Sequence, residues 1–278
     1  MFFDDTAMSK VLYVNQEIVP FSPESELSHM GRFLPAYAQE HGREIRVFTP
    51  RFSTISDRRH QLHEVIRLSG MNIVVNNSDR QLIIKMGSIP AARMQVYFID
   101  NEEYFTQHGA LFDAEGNLFD DTDERLLFFG KGTLEAVRKL AWRPHLVHFS
   151  GWFSSMIPFY LRRINKETAF FDGTKLVCTL CDDAYRGALS GEMERNLRAD
   201  KATSKDLQLY HDLDYISLMK AAISYSNGVV IASPNVNPEL VEFAREGKKH
   251  VVEYNADDKV FYGEINNLYD TIIGTPTN

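Results

Sequence analysis

The sequence predicts one doubly wound α/β domain with a mainly parallel sheet and a small β-hairpin insert. Three observations carry this. Short β-rich apolar runs alternate with segments of helical period along most of the chain. Residues 60–100 break that alternation with closely spaced β-rich runs, separated by Gly70, Asn76-Asn77 and Gly87. No repeat and no low-complexity linker divides the 278 residues, a length that suits one large α/β domain.

The elements follow in order. Residues 1–8 form a short extension without the basic and apolar regions of a signal peptide. Lys10–Val14 is a strand. From Leu27, the apolar positions Met30, Leu34, Tyr37 and Ala38 recur at helical spacing, with a kink expected at Pro35 and a stop at Gly42. Glu44–Phe48 is a buried strand closed by Pro50, completing a βαβ unit. His63–Leu68, Met71–Val75, Arg80–Met86 and Gln95–Ile99 read as the inserted strands, and residues 101–120 as a long surface loop. Asp121 and Glu124 then predict a capping box. The helix behind it buries Leu126, Phe129, Leu134, Val137 and Leu140, and Trp142-Arg-Pro144 ends it. Leu146–His148 is a strand and Phe153–Lys166 a helix kinked at Pro158. Lys175–Leu180 is the next strand. Residues 187–210, charged and weakly periodic, read as an excursion or a solvated helix. Helix Tyr215–Tyr225, strand Gly228–Ala232, helix Pro238–Arg245, strand His250–Glu253 and a terminal helix over 259–273 complete a domain spanning 9–273, with a tail over 274–278.

The net charge of −8 argues against nucleic acid or an anionic membrane as a bulk partner. No apolar run approaches the roughly 18 residues of a membrane span. Two cysteines and no targeting segment predict a cytoplasmic location.

In such a sheet the ligand crevice lies at the carboxyl ends of the strands. That rule gathers 15–26, 148–153, 181–187 and 233–237 around one site. The first of these loops sits where α/β enzymes usually cradle a phosphate with glycines and a lysine. Here it holds Pro23, Glu24, Ser25 and Glu26. The sequence reads as an ordinary helix start, with Ser22 as N-cap, Pro23 at the first helical position, and Glu24 and Glu26 in the first turn. A pyrophosphate would meet carboxylates where it needs donors. His148, at a strand end, reads as a hydrogen-bonded structural residue or a ligand contact. Trp152 offers a sugar ring an apolar face or packs a helix start, and Trp142 belongs to the core. Cys178 and Cys181 lie three apart on a strand, on opposite faces, with no second cysteine pair to complete a zinc site. Asp182 and Asp183 suit sugar hydroxyls, a cation or a turn. The pairs Arg58-Arg59 and Arg162-Arg163 read as solvated faces. No metal site is expected.

Several segments, in order over about 250 residues, carry a family likeness. Lys10–Phe21, with Glu17, Pro20 and Phe21, resembles an S-E-x-x-P-F segment. Leu34-Pro35 and Val47-Phe-Thr-Pro-Arg51 resemble an L-P helix and a V-x-x-P-R strand end. Asp123–Phe129 resembles D-E-R-F-x-x-F, and Trp142–His148 resembles W-x-P-D-V-V-H. Thr179–Gly187, with Ala184-Tyr185, resembles T-I-H-N-x-A-Y-Q-G. Lys220–Pro234 resembles K-x-x-I-x-x-A-D-x-V-x-x-V-S-P. These are motifs of the N-terminal domain of bacterial glycogen synthase and plant starch synthase, ADP-glucose-dependent transferases of the GT-B fold.

The resemblance implies a Rossmann-like half of a GT-B fold, with substrate-binding candidates Glu17, His148, Trp152, Asp182 and Tyr185. It also exposes departures. The family's K-T-G-G-L donor loop has Pro23 at the lysine and Ser25-Glu26 at the glycines. Its H-D-W-H motif reads Ser150-Gly151-Trp152-Phe153, so the aspartate and second histidine positions are lost. No second GT-B domain is read in the sequence. The resemblance therefore implies a degenerate domain with no catalytic residues or cofactor of its own. Such a domain would bind a glucan or small saccharide. It would also take a protein partner, or a second copy, on the face that the second domain normally covers. The alternative is an active retaining glucosyltransferase half that uses ADP-glucose and needs a separate chain for its second domain.

Overall fold

The computed structural model describes residues 8–106, 110–164 and 169–274. The expected extension over 1–7, the tail over 275–278 and the end of the helix drawn to Lys166 lie outside them. Strands are β1 (Lys10–Asn15), β2 (Glu44–Pro50), β3 (His63–Glu64), β4 (Met71–Val75), β5 (Ser78–Ile89), β6 (Met94–Asp100), β7 (Leu146–Ser150), β8 (Lys175–Leu180), β9 (Gly228–Ile231) and β10 (His250–Val252). Helices are α1 (Glu26–Glu40), α2 (Asp57–His60), α3 (Thr122–Lys139), α4 (Ile157–Phe159), α5 (Glu192–Ala199), α6 (Ser204–Leu209), α7 (Tyr215–Tyr225), α8 (Pro238–Glu246) and α9 (Asp258–Ile273).

The sheet runs β10-β9-β8-β7-β1-β2-β6-β5-β3, with β4 paired to β5 off that path. Pairing is parallel from β10 through β6 and antiparallel among β6, β5, β4 and β3. This is the half-fold of the doubly wound class. Successive residues of β1 face opposite sides: Val11 and Tyr13 pack with α1 and α9, Leu12 and Val14 with α3, α4, α7 and α8. Both faces are covered, which is why the parallel strands read as unbroken apolar runs rather than alternating ones.

Local differences from the sequence reading have physical causes. The insert is smaller than its pattern suggested, because Met94–Asp100 joins β2 as a parallel scaffold strand. The run His63–Leu68 pairs only at His63–Glu64 before turning, with Leu68 N–H donating to the Val65 carbonyl at 2.8 Å. In the stretch expected as a surface loop, Tyr104, Phe105 and Leu111 are buried. Asp121 precedes α3 without a side-chain cap. Glu124 instead accepts hydrogen bonds from Asn76 Nδ2 and the Tyr104 hydroxyl, at 2.7 and 2.6 Å, tying α3 to the insert. Residues 187–210 hold α5 and α6, the latter closed by a Thr203–Asp206 capping box. The single helix expected over Phe153–Lys166 is broken into a 3-10 turn (Trp152–Ser154), the short α4 and a π turn (Tyr160–Ile164). Pro158 lies in the first turn of α4, where a missing N–H costs nothing. By contrast α1 runs through Pro35 without interruption in its assignment.

Candidate functional site

The carboxyl ends of β1, β7 and β8 open into a crevice of about 410 Å³. Its wall is built first by the loop that follows β1. Asn15 Nδ2 donates to the Gly31 carbonyl at 2.9 Å, and Ser150 Oγ donates to Asn15 Oδ1 at 2.9 Å. The loop backbone then passes so close to α1 that a Cβ on Gly31 would collide with the Glu17 carbonyl oxygen. Glu17, half-buried, turns its carboxylate to the start of α1 and accepts from Ser25 Oγ at 2.9 Å.

The helix start differs from the sequence reading in its register. Ser25, not Ser22, is the N-cap of α1, in a reciprocal capping box with Ser28. Pro23 and Glu24 precede the helix, and Ser22 Oγ closes the loop by accepting from Ile18 N–H at 3.2 Å. The reason is steric and local. A Ser25–Ser28 box satisfies two of the orphan groups at once, leaving Pro23 free to shape the approach. The Ser28 N–H of the first turn is thus already occupied by the Ser25 hydroxyl, and Glu26 stands at the helix's first position.

The crevice floor comes from the segment after β7. Gly151 has φ of +81°, and a Cβ there would lie 2.5 Å from Gln16 Cβ. Phe153 N–H donates to Gln16 Oε1 at 2.9 Å, locking floor to wall. The Phe153 ring is fully buried among Phe52, Phe105, Phe129 and Trp152. Trp152 lines the crevice with its indole packed 4.7 Å from the Tyr185 ring. Its Nε1 is buried without a hydrogen-bond partner among the described residues.

The third side is the turn after β8. Cys181, Asp182, Asp183 and Ala184 all line the crevice. Asp183 is the structural member: it accepts from Trp152 N–H at 3.0 Å and from the Tyr215 hydroxyl at 2.8 Å. Burial raises its carboxyl to about 6, and the Glu17 carboxylate pushes the same way against those two hydrogen bonds. Asp182 is exposed at the rim with Phe112 and Asn235. Burial also raises both cysteine thiols, and Cys178 lies inside the sheet packing while Cys181 faces the crevice.

The structure therefore brings together Glu17, Trp152 and Asp182, together with Ser25 and Glu26. Tyr185 stands behind Trp152, buried, with its hydroxyl donating to the Leu213 carbonyl at 3.0 Å. His148 is elsewhere: it points to the α9 side of the sheet, stacks on Tyr13, and has both ring nitrogens hydrogen-bonded, to the hydroxyls of Tyr269 and Thr179. Burial lowers its pKa to about 3, so it is neutral and structural. Gln16 and Asn235 lie in loops that strand order alone gathers at the crevice, whereas Phe112 comes from outside them. Phe112 carried no local signal, because only tertiary packing brings its loop over the strand ends. Among the described lining residues the ionisable groups are Glu17, Glu26, Asp182, Asp183 and Cys181, with no lysine, arginine or histidine. The described residues hold no cluster of three or more His, Cys, Asp or Glu suited to a metal, and no helix among them is long and apolar enough to cross a membrane.

A profile of the starch synthase catalytic domain matches residues 10–253. This chain belongs to that family. Glycogen synthases of Chlorobium phaeovibrioides and Chlorobium limicola are 29% and 30% identical to it, over 83% and 84% of this chain and 47% of each relative. The chain thus spans about half the length of these curated relatives. The fold matches the catalytic domain of starch synthase IV from Arabidopsis thaliana, solved bound to ADP and acarbose. The TM-score is 0.71 at 15% identity, covering 90% of this chain and 51% of that one.

Proposed function

We propose that this starch synthase-type domain binds a glucan or small saccharide in its crevice and has given up the nucleotide pyrophosphate, so that it does not transfer glucose on its own. The observation that carries this reading is the charge of the crevice: four carboxylates and no cation among its described lining residues. A carboxylate about 6 Å from a phosphoryl charge costs about 3 kcal/mol at an effective dielectric constant near 20, before screening. A neutral polyol meets no such repulsion. Glu17, Asp182 and Asn235 are acceptors and donors suited to hydroxyl groups, and Phe112, exposed at the rim over the buried Trp152, supplies the apolar face that a sugar ring stacks on. Of the two ligands on the starch synthase IV domain, ADP and acarbose, this crevice suits the second.

A second reading rests on the retained scaffold. With a complementary domain supplied from elsewhere, the chain would be an active retaining glucosyltransferase half using ADP-glucose. Calorimetric titration separates the two. Maltooligosaccharide binding with no response to ADP or ADP-glucose is expected. Micromolar binding of either nucleotide would overturn the non-catalytic reading, and binding of neither class would turn the crevice toward a protein partner or a second copy.

A further inference from the structure

The loop after β1 has a second cavity on its outer side, of about 630 Å³, between Val19–Glu24, the exposed side of α1 and the turn into α2. Its electrostatics are the reverse of the crevice's. Two cations, Arg32 and Arg59, line it against one carboxylate, Glu24, with His29 and His60 beside them; burial and the Arg59 charge hold the His60 ring below its ordinary pKa. Arg59, which the sequence presents as part of a solvated basic pair, is here a cavity wall. The contrast with the chain's other arginine pair matters: Arg162 and Arg163 donate at 2.8 and 2.7 Å to Asn227 and Asp206. The side chains of Arg32 and Arg59 have no hydrogen bond or ion pair among the described residues. Arg32 Nε is withdrawn from solvent all the same, and buried N–H donors are normally paired.

The cavity is also shaped. The Arg32 guanidinium lies 5.0 Å from the Phe33 ring centroid, and Phe33 stacks on His29 at 5.7 Å. Phe33 is 41% exposed, a large ring left facing solvent at the cavity edge. On the inner side, Phe21 packs against His60 at 5.0 Å. Cations with unused donors and an exposed aromatic face are what a small anion carried on a ring would need. The volume falls in the range of small-molecule sites, on a chain whose net charge is −8.

We propose that this outer cavity is a binding site for a small sugar phosphate, with Arg32 and Arg59 holding the phosphoryl group and Phe33 facing the ring. The site is independent of the crevice: it uses none of the crevice's ionisable residues.

The test is calorimetric titration of the full chain with glucose 1-phosphate, inorganic phosphate and glucose. Glucose 1-phosphate should bind with a Kd below about 1 mM, weaken with added salt and exceed inorganic phosphate in affinity. R32A and R59A should each weaken it about tenfold or more, and F33A should narrow the gap between glucose 1-phosphate and phosphate. E17Q, in the crevice, should leave it unchanged. All three cavity residues are partly or fully exposed, and matching thermal melts will establish that the variants fold. No binding by the wild-type chain would overturn the proposal, as would binding that survives both arginine substitutions or is altered by E17Q. Equal affinity for glucose 1-phosphate and inorganic phosphate would overturn the sugar component. Loss of saccharide binding in the crevice is a separate result and bears only on the reading above.

Discussion

The floor and the rim of the crevice are built on different terms. The floor, Gly151 to Ser155, is fixed from several directions at once: a positive φ, a backbone bond to Gln16, and an aromatic ring enclosed by four others. The rim, with Glu17, Ser25, Glu26 and Asp182, is partly or fully exposed, and its best-fixed member, Ser25, makes two side-chain bonds, to Glu17 at 2.9 Å and from Ser28 N–H at 3.0 Å. A residue change therefore means something different in each place. At the floor, Gly151 and Phe153 have been absorbed into the packing. At the rim, Ser25 and Glu26 are surface chemistry that remains open to change.

That contrast can be broken most directly at Phe153. Phe153→Ala should cost about 3–5 kcal/mol in urea unfolding, and a loss below about 1 kcal/mol would show that the floor is not core. Gly151→Ala should cost about 2–3 kcal/mol, from a left-handed backbone and the clash with Gln16. Equal stability of that variant would mean that the floor yields easily.

Asp183 joins the two regions and gives the contrast a pH signature. Its folded carboxyl, raised to about 6, holds a proton that the unfolded chain has already released near 3.8. Stability should thus fall as pH rises from about 4 to about 6 and stay level above. Asp183→Asn should remove about 1 kcal/mol of that fall, less than full linkage because the residue is half-buried. Asp123, also raised to about 6, stays in both proteins and cancels in the difference. Identical pH profiles would exclude Asp183 as the junction.

Rim changes should be smaller. Ser25→Ala, which removes the α1 cap, should cost about 1 kcal/mol. Pro23→Lys should shift stability by no more than about 0.5 kcal/mol. It should also leave ADP binding undetectable by calorimetry, because the carboxylates remain. Restored nucleotide affinity from that one change would make the rim, not the floor, the whole of the difference from the family.

Periodicity carried the scaffold well: Lys175–Leu180 and Tyr215–Tyr225 match β8 and α7 residue for residue. It served least where side chains compete for the backbone. Both Ser22 and Ser25 are good caps, and the reciprocal box with Ser28 favours Ser25. Phe153–Lys166 reads as helical because its apolar residues are frequent on every side, yet the described part forms three separate turns between Trp152 and Ile164, with Pro158 opening the second. The site was legible as a set of loops, since strand ends are fixed by topology. The side on which a strand residue lands was not. His148, read as the end of its strand, lies two residues short of the end of β7 and faces away, and its partner Tyr269 is distant in sequence.

The approach of Gly31 to the Glu17 carbonyl has a consequence for comparing relatives. Backbone rests on backbone there, and the spacing is set by a missing side chain as well as by the Asn15 bond to the Gly31 carbonyl. A relative with a Cβ at position 31 must route its loop along another path, whatever acids that loop carries. Crevice shape in this subgroup can thus be sorted by a residue inside a helix that itself touches no ligand.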